Sequence, residues 1–267
     1  MSLMRQGLVV LLLCTLCHAM SVYILNLRER RERLANTVDL LARSSLPPGV
    51  QLNVHRIDAA TVSDALHGQH AYPEWRMHRV PALPGVRTAE LQPYWTQHVT
   101  HGEVACFMSH MRAAMAISDS SDEMHMVLED DVDFDPSTFF YDVAKVHAEV
   151  VAHDPNWHYI SLGHAKLDRG SRPIGPSAEL PGYFYQTHAQ LVSTAGAIKT
   201  LSRNISHNII AYDEWLHAAR AVHPRDELNS LYYAQDDPFR IYASIAKLAK
   251  QRPSAVHDTR LHSHIMS

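Results

Sequence analysis

Only three cysteines occur in the 267 residues, Cys14, Cys17 and Cys106. A chain that loses its first segment would therefore keep one thiol, which excludes an internal disulfide framework. Cys14 and Cys17 form a C-x-x-C, but inside an apolar run, without a second pair or histidines at zinc spacing, so the pair argues weakly for metal or redox chemistry. A basic excess is also missing: Lys+Arg is 24 against Asp+Glu 28, a formal net charge of -4. No bulk field is available to hold nucleic acid. The apolar run from Leu8 to Cys17 is too short to cross a bilayer comfortably, so no spanning segment is expected in the mature chain. The C-terminal HSHIMS carries no retrieval tetrapeptide, and neither an internal repeat nor a second domain is visible.

What is present is a globular composition, 46% hydrophobic and 19% charged, which sets the chain apart from disordered ones. Twenty histidines make its surface charge responsive to mild acid. Arg5, the apolar run and the small residues near Ala19 have the build of a secretory signal peptide over 1–19, followed by one domain over 20–267. The other reading is an uncleaved, buried N-terminal segment. Asn204-Ile205-Ser206 fits a glycosylation acceptor. Together these point to the lumen of the secretory pathway or to secretion.

Strands and helices alternate, which predicts an α/β layered fold with a largely parallel sheet. SVYILNL (21–27) reads as a strand, followed by a helix with Leu34, Val38 and Leu41 on one face. VHRIDAA (54–60) reads as a second strand. Residues 65–99, with four prolines, read as an extended loop. Thr100 and Glu103 have the offset of a capping box, opening a helix with an inward stripe of Val104, Met108, Met111 and Met115. MHMVL is the expected central strand. Asp135-Pro136 predicts the next helix start, with Phe139, Val143, Val146 and Val150 facing inward. HYISLG is another strand, 164–182 a loop, YFYQTHAQLVS a strand leading into the TAGAIKTL helix, and DEWLHAARAV a helix with an irregular tail.

The unusual stretch is MHMVLEDDVDFDPSTFF (124–140). An apolar strand runs into Glu129, Asp130 and Asp131, with Asp133 and Asp135 following. Such crowding is costly unless solvent or a cation absorbs the repulsion. In an extended chain Glu129, Asp131 and Asp133 would share one face, at a strand end, where open α/β sheets bind ligands. Hard oxygens there suit Mg²⁺ or Mn²⁺. Spacing equally allows a solvated acidic turn with Asp135 as a helix cap.

The order of motifs YILNLRERRERL, RIDAAT, THGEVACFMSH, MVLEDDVDF, HYISLG, QTHAQLVSTAGA and YDEWL, spanning roughly residues 22–216, resembles glycosyltransferase family 25. That group contains bacterial lipooligosaccharide galactosyltransferases and animal procollagen galactosyltransferases. The chain departs from the family pattern at Arg28-Glu29 and Ala105, and matches poorly over 65–99 and after Leu216. The resemblance implies a single-domain glycosyltransferase A fold, a Rossmann-like, mostly parallel sheet flanked by helices. It also implies a UDP-sugar donor, UDP-galactose in the first place, bound with Mn²⁺ or Mg²⁺. Carried over residue by residue, Asp131 becomes the metal ligand, Asp130 the contact to ribose or a metal-bound water, and Glu129 an outer group of the metal site.

The family's β-linked products from α-linked donors imply inversion, which needs one general base. Asp213 and Glu214 are the candidates, Asp213 in front; the alternative for Asp213 is a helix cap, with Glu214 favoured by the helix dipole. Asn26, Arg30 and Asp58 are candidates for the nucleotide, against a turn-stabilising Asn and a solvated Arg. His110 and His188 are candidates for the donor pocket, against hydrogen-bonded structural histidines. His257 is a candidate late metal ligand. The acceptor is a protein hydroxyl, such as hydroxylysine of collagen-like chains, or a lipid-linked glycan. Two other readings stand beside these: a phosphohydrolase, for which Asp236-Asp237 would be the further acidic cluster, and an inactive transferase-like binding module.

Overall fold

A computed structural model of the chain describes residues 19–71, 99–122, 124–166, 170–203, 205 and 209–252. The first half runs β1 (Ala19–Asn26), α1 (Arg31–Ala42), β2 (Gln51–Asp58), α2 (Val62–Ala71), α3 (His101–Ser118), β3 (Met124–Glu129), β4 (Val132–Phe134) and α4 (Phe139–His153). Then follow β5 (Tyr159–Ser161), β6 (Ala165–Lys166), β7 (Arg172–Pro173), β8 (Ala178–Leu180), β9 (Phe184–Tyr185) and β10 (Ala189–Ser193). The chain continues through α5 (Thr194–Ser202), α6 (Tyr212–Ala218), α7 (Asp226–Tyr232), β11 (Ile241–Ser244) and β12 (Ala249–Gln251).

The main sheet has the order β2-β1-β3-β10-β5-β11-β8-β7. Strands β2, β1, β3, β5, β11 and β7 run one way; β10 and β8 run against them. The α/β architecture with a mostly parallel sheet is thus the one expected. Side chains alternate across the sheet as a pleat requires. Val22, Ile24, Met126 and Leu128 join α1 and α4 in one core, which includes Leu41, Phe139, Val143, Val146 and Val150. Tyr23, Leu25 and Val127 face the other, against α3, α5 and α6 through Phe107, Ile117, Ala197 and Trp215. Both faces of the sheet are covered, so its ligand-accessible ground lies at the strand ends.

Several expectations about detail are corrected. On α1 the buried residues are Thr37, Leu40 and Leu41, while Val38 is 42% exposed. On α3 Val104 is buried but Met115 is 58% exposed. The true inward positions include Ser109, His110, Ala113 and Ala114, polar or small residues that hydrophobic periodicity does not register. Asp135 does not cap α4: its carboxylate accepts from the Ser137 N–H (2.9 Å) and hydroxyl (2.7 Å) in a turn, and the helix begins three residues after Pro136. Residues 65–71 are helical, 164–182 contain three short strands, and the tail contributes α7, β11 and β12. These strands are two to four residues long and owe their pairing to the sheet they join, a context no local pattern carries. The expected leader as far as residue 18, residues 72–98 of the expected loop, Asn204 and Ser206 of the sequon, and His257 lie outside the described residues, while Ala19 begins β1.

The capping box is present as predicted. Thr100 Oγ1 accepts from the Glu103 N–H (3.2 Å), and Glu103 Oε2 accepts from the Thr100 N–H (2.6 Å). Thr100→Ala is expected to cost about 1 kcal/mol of unfolding free energy. Denaturant titration would read this as a lower midpoint with unchanged slope.

Candidate active site

The site is assembled at one end of the central strands. Leu25 pairs with Glu129 across β1 and β3, Asn26 with Asp58 across β1 and β2, and Ala189 of β10 with Leu128. The Glu129 N–H donates to the His188 carbonyl (2.9 Å), so the entry to β10 lies beside the last residue of β3. The chain then turns at Asp130-Asp131 and leaves as β4, paired with β12. This turn breaks the extended alternation that would have put Glu129, Asp131 and Asp133 on one face. Asp133 faces Lys250 (3.2 Å) and leaves the group.

Asp130 is 7% exposed and held on every side. Its Oδ2 accepts from Asn26 Nδ2 (2.7 Å), its Oδ1 from Arg33 (3.4 Å), and its backbone carbonyl from the Thr37 hydroxyl (2.9 Å). Asn26 is itself fixed by donating to the Arg30 carbonyl (3.0 Å) and accepting from Arg56 (3.0 Å). Burial raises the Asp130 carboxyl, against the opposing pull of Asn26 and Arg33. Asp131 Oδ2 accepts from Arg33 (3.1 Å) and Gln251 (3.0 Å). Its Oδ1 is buried and has no hydrogen-bond partner. Burial, then the charge of Glu129, pushes Asp131 up to about 6. A buried, unpartnered carboxylate oxygen beside a second carboxylate suits an oxygen-seeking divalent cation. The residues present therefore fit a divalent metal: Asp131 offers the free oxygen, and Arg33 is the protein's own counter-charge beside it.

Glu129 faces the other way, accepting from the Thr187 hydroxyl (3.2 Å) and lying 3.6 Å from His110 Nε2. Burial pushes this carboxyl up, but His110, His188 and Thr187 outweigh it and hold Glu129 below its ordinary range. The His110 ring lies flat on Tyr212, centroids 4.0 Å apart and planes 11° apart, which locks α3 to the start of α6. Phe107 packs edge-on against Tyr212 and Trp215 across the same joint. Cys106, one turn before His110, opens to solvent between these groups. Crowding by protein, then the charges of Glu129, Asp213, Glu103 and Asp131, push its thiol well above the ordinary value.

Asp213 and Glu214 diverge, as neighbours at a helix start must. Asp213 keeps partial solvent access and accepts from the Gln186 N–H at 3.4 Å. Burial, then the Glu214 charge, raises Asp213 to about 7. Gln186 holds φ 80°, a backbone form uncommon outside glycine, between β9 and β10. Glu214 is fully buried, accepting from Tyr183 (2.7 Å) and lying 2.6 Å from His223 Nε2. His223 Nδ1 accepts from the Arg225 N–H (3.0 Å), so the neutral ring carries its proton on Nε2 and donates to Glu214. Of the two acids, Asp213 is half-buried, and Glu214 is tied inside to Tyr183 and His223.

The remaining candidates are spread more widely. Asp58 pairs with Arg28 (3.0 Å) and Arg56 (2.5 Å) at the rim, and Arg30 caps α1 beside Asp130. His188 is 1% exposed, with neither ring nitrogen hydrogen-bonded. Gly163 makes room for it: a Cβ there would stand 2.3 Å from His188 Nε2 and 2.5 Å from the Ala249 carbonyl oxygen. Gly163→Ala is expected to destabilise by roughly 1–3 kcal/mol, read as a lower denaturant midpoint, because His188 and β12 must both shift. Arg33, Gln251, Gln186 and Cys106 were not singled out from the sequence. The Cys106/His110 offset of four, placing both on one helix face, was the one local signal that could have found a member of that set. A cavity of about 660 Å³ lies at the other ends of the central strands, lined by Met20, Met124, Phe140 and Trp157, and takes in none of these acids. Asp237 pairs with Lys199 and Arg203 on α5 and the residue after it, so it is committed to packing rather than to a second acidic cluster.

Residues 19–169 match the family described as "Glycosyltransferase family 25 (LPS biosynthesis protein)". The chain is 26% identical over 219 residues to the "Probable inactive glycosyltransferase 25 family member 3" of Rattus norvegicus, covering 80% of this chain and 35% of that protein. It is 28% identical over 227 residues to "Procollagen galactosyltransferase 1-B" of Xenopus laevis, covering 80% and 33%. It is 23% identical over 231 residues to "Procollagen galactosyltransferase 2" of Homo sapiens, covering 83% and 34%. The chain therefore spans about a third of the length of these relatives. Among solved structures, mouse xyloside xylosyltransferase 1 in its apo form aligns at a TM-score of 0.31 and 13% identity, covering 77% of this chain and 63% of that one.

Proposed function

The chain belongs to glycosyltransferase family 25, and from that premise we propose that it moves a sugar, galactose, from a UDP-sugar to an acceptor hydroxyl with inversion at the anomeric carbon. The observation that carries the proposal is the buried, unpartnered Oδ1 of Asp131, just past the end of β3 and beside the locked Asp130. Asp131 stands just past the end of β3 and Asp213 in the first turn of α6, and a one-step displacement calls on one group for the leaving diphosphate and another for the acceptor proton.

In this reading Asp131 holds a divalent cation, Mn²⁺ or Mg²⁺, Glu129 adds its charge from behind, and Asp130 stays locked beside Asp131 through Asn26 and Arg33. When bound, that cation would offset the charge developing on the leaving diphosphate. Asp213 accepts the proton of the acceptor hydroxyl as its oxygen bonds to the anomeric carbon and the bond to the diphosphate oxygen breaks. With a carboxyl raised to about 7, Asp213 is poised to take and release a proton near neutral pH. Asn26, Arg30 and Asp58 lie at the nucleotide side, and His110 and His188 brace Glu129 from behind.

The acceptor proposed is hydroxylysine of a collagen-like protein in the secretory lumen, a reading supported by the names of the Xenopus and human relatives. A saccharide acceptor is the rival, supported by the family's description. The likeness to a relative named as inactive supports a third reading, a binding module without turnover. A UDP-release screen separates them: purified chain, several UDP-sugars, with and without Mn²⁺, against collagen-type and saccharide acceptors. The expected result is Mn²⁺-dependent release from UDP-galactose that rises with the collagen-type acceptor. UDP-sugar binding without release in any combination would establish the inactive module instead.

A further inference from the structure

We propose that Cys106, His110 and Glu129 form a binding site for a thiophilic divalent cation of the Zn²⁺ type, beside the Asp131 site and separate from it in ligand chemistry. One ligand atom from each of the three residues lies within 4.8 Å of the others. The His110–Glu129 contact, Nε2 to Oε1, is 3.6 Å. Zinc–ligand lengths of about 2.0–2.3 Å place two atoms on one tetrahedral ion roughly 3.3–3.8 Å apart. His110 and Glu129 already have that spacing, and closing the set takes a movement of about 1 Å.

The site is built rather than fortuitous. His110 is 3% exposed, its Nε2 has no hydrogen-bond partner, and that nitrogen points at Glu129. Tyr212 lies flat against the ring and fixes its plane. Glu129 is held in turn by the Thr187 hydroxyl. Cys106 sits four residues before His110 in α3, so helix geometry brings thiol and imidazole to the same face. The thiol is open to solvent, which supplies both an entry path and a water for the fourth position. The surrounding negative charge favours a cation there, and a bound ion displaces the thiol proton outright, so affinity rises with pH. Thiolate and imidazole select Zn²⁺, Co²⁺ or Cd²⁺ over Mg²⁺ and Mn²⁺, whereas the all-carboxylate Asp131 site does the reverse.

The inference does not rest on sugar transfer, and its test does not read it. A full-length chain carrying Cys14→Ser and Cys17→Ser, leaving Cys106 as the sole thiol, is titrated with Co²⁺ without nucleotide. The expected result is a near-ultraviolet thiolate-to-Co²⁺ band that saturates at one equivalent, bleaches with Zn²⁺ and withstands excess Mg²⁺. Adding Cys106→Ser should abolish the band while cooperative melting is kept. In the chain with Cys106 intact, Zn²⁺ should also slow alkylation of that thiol by at least about tenfold, and Mg²⁺ should not. No band, a band surviving Cys106→Ser, or alkylation indifferent to Zn²⁺ overturns the proposal. Failure of the UDP-release screen with the band present would sink the transferase reading and leave this site standing.

Discussion

Asp131→Asn is expected to cut Mn²⁺-dependent UDP binding on the order of 100-fold, the upper end of what losing even an outer partner of a metal ligand costs. The fold should survive the change. The Asp131 side chain is anchored by two donors, Arg33 at 3.1 Å and Gln251 at 3.0 Å, and an amide oxygen still accepts from both. What disappears is the charge and the second, buried oxygen left without a partner. Losing that charge also relieves repulsion with Glu129, which is part of what lifts Asp131 to about 6. Melting should therefore remain cooperative and shift by only a few degrees, the scale of about 1 kcal/mol. Calorimetric titration of UDP in the presence of Mn²⁺, with a parallel melt, reads both halves. Unchanged UDP affinity would remove Asp131 from the metal site.

Asp213→Asn is expected to lower the transfer rate by roughly 100- to 10,000-fold, the range for loss of a positioned general base. Donor binding should stay intact, because Asp213 bonds to the Gln186 and Glu214 N–H groups and not to Asn26, Asp58 or Asp131. The wild-type pH profile follows from the same residue. Asp213 acts as a base only when ionised, and burial and Glu214 raise it from 3.8 to about 7. Transfer should rise about tenfold per pH unit below 7 and level off above. The sign for stability is opposite. Between pH 3.8 and 7 the folded protein keeps a proton that the unfolded chain has lost, so this group's contribution falls as pH rises through that window. A variant that turns over normally would move the base elsewhere, and Glu214 cannot inherit the role, being fully buried against Tyr183 and His223.

The parts of the fold that were legible from sequence are those whose information is local. The β3 strand is a mostly apolar run closed by acids, and it is an interior strand, third of the eight, with β10 and β5 at the middle. The Thr100–Glu103 box is a three-residue offset, and both its hydrogen bonds form. What stayed hidden depends on distant partners. The β12 strand holds one buried residue, Ala249, and exists by pairing with β4, yet Gln251 at its end is a partner of Asp131. Arg33 looks like one more charge on a solvated helix face, and only the fold brings it to Asp130 and Asp131. In the acidic segment the extended alternation fails because the chain turns at 130–131, which takes Asp133 out of the group and brings Arg33 in. For Asp213 and Glu214, a helix start at the pair is readable, but which acid is buried is set by Tyr183 and His223, contributed by other segments.

The most direct test is a calorimetric titration of UDP into the unsubstituted chain, once with Mn²⁺ and once with the ion stripped by a chelator. Binding that weakens by at least about tenfold on stripping, and returns when Mn²⁺ is restored, is the result this account predicts. Equal affinity in the two titrations would contradict it, and would leave the carboxylates at the end of β3 as packing and charge balance alone.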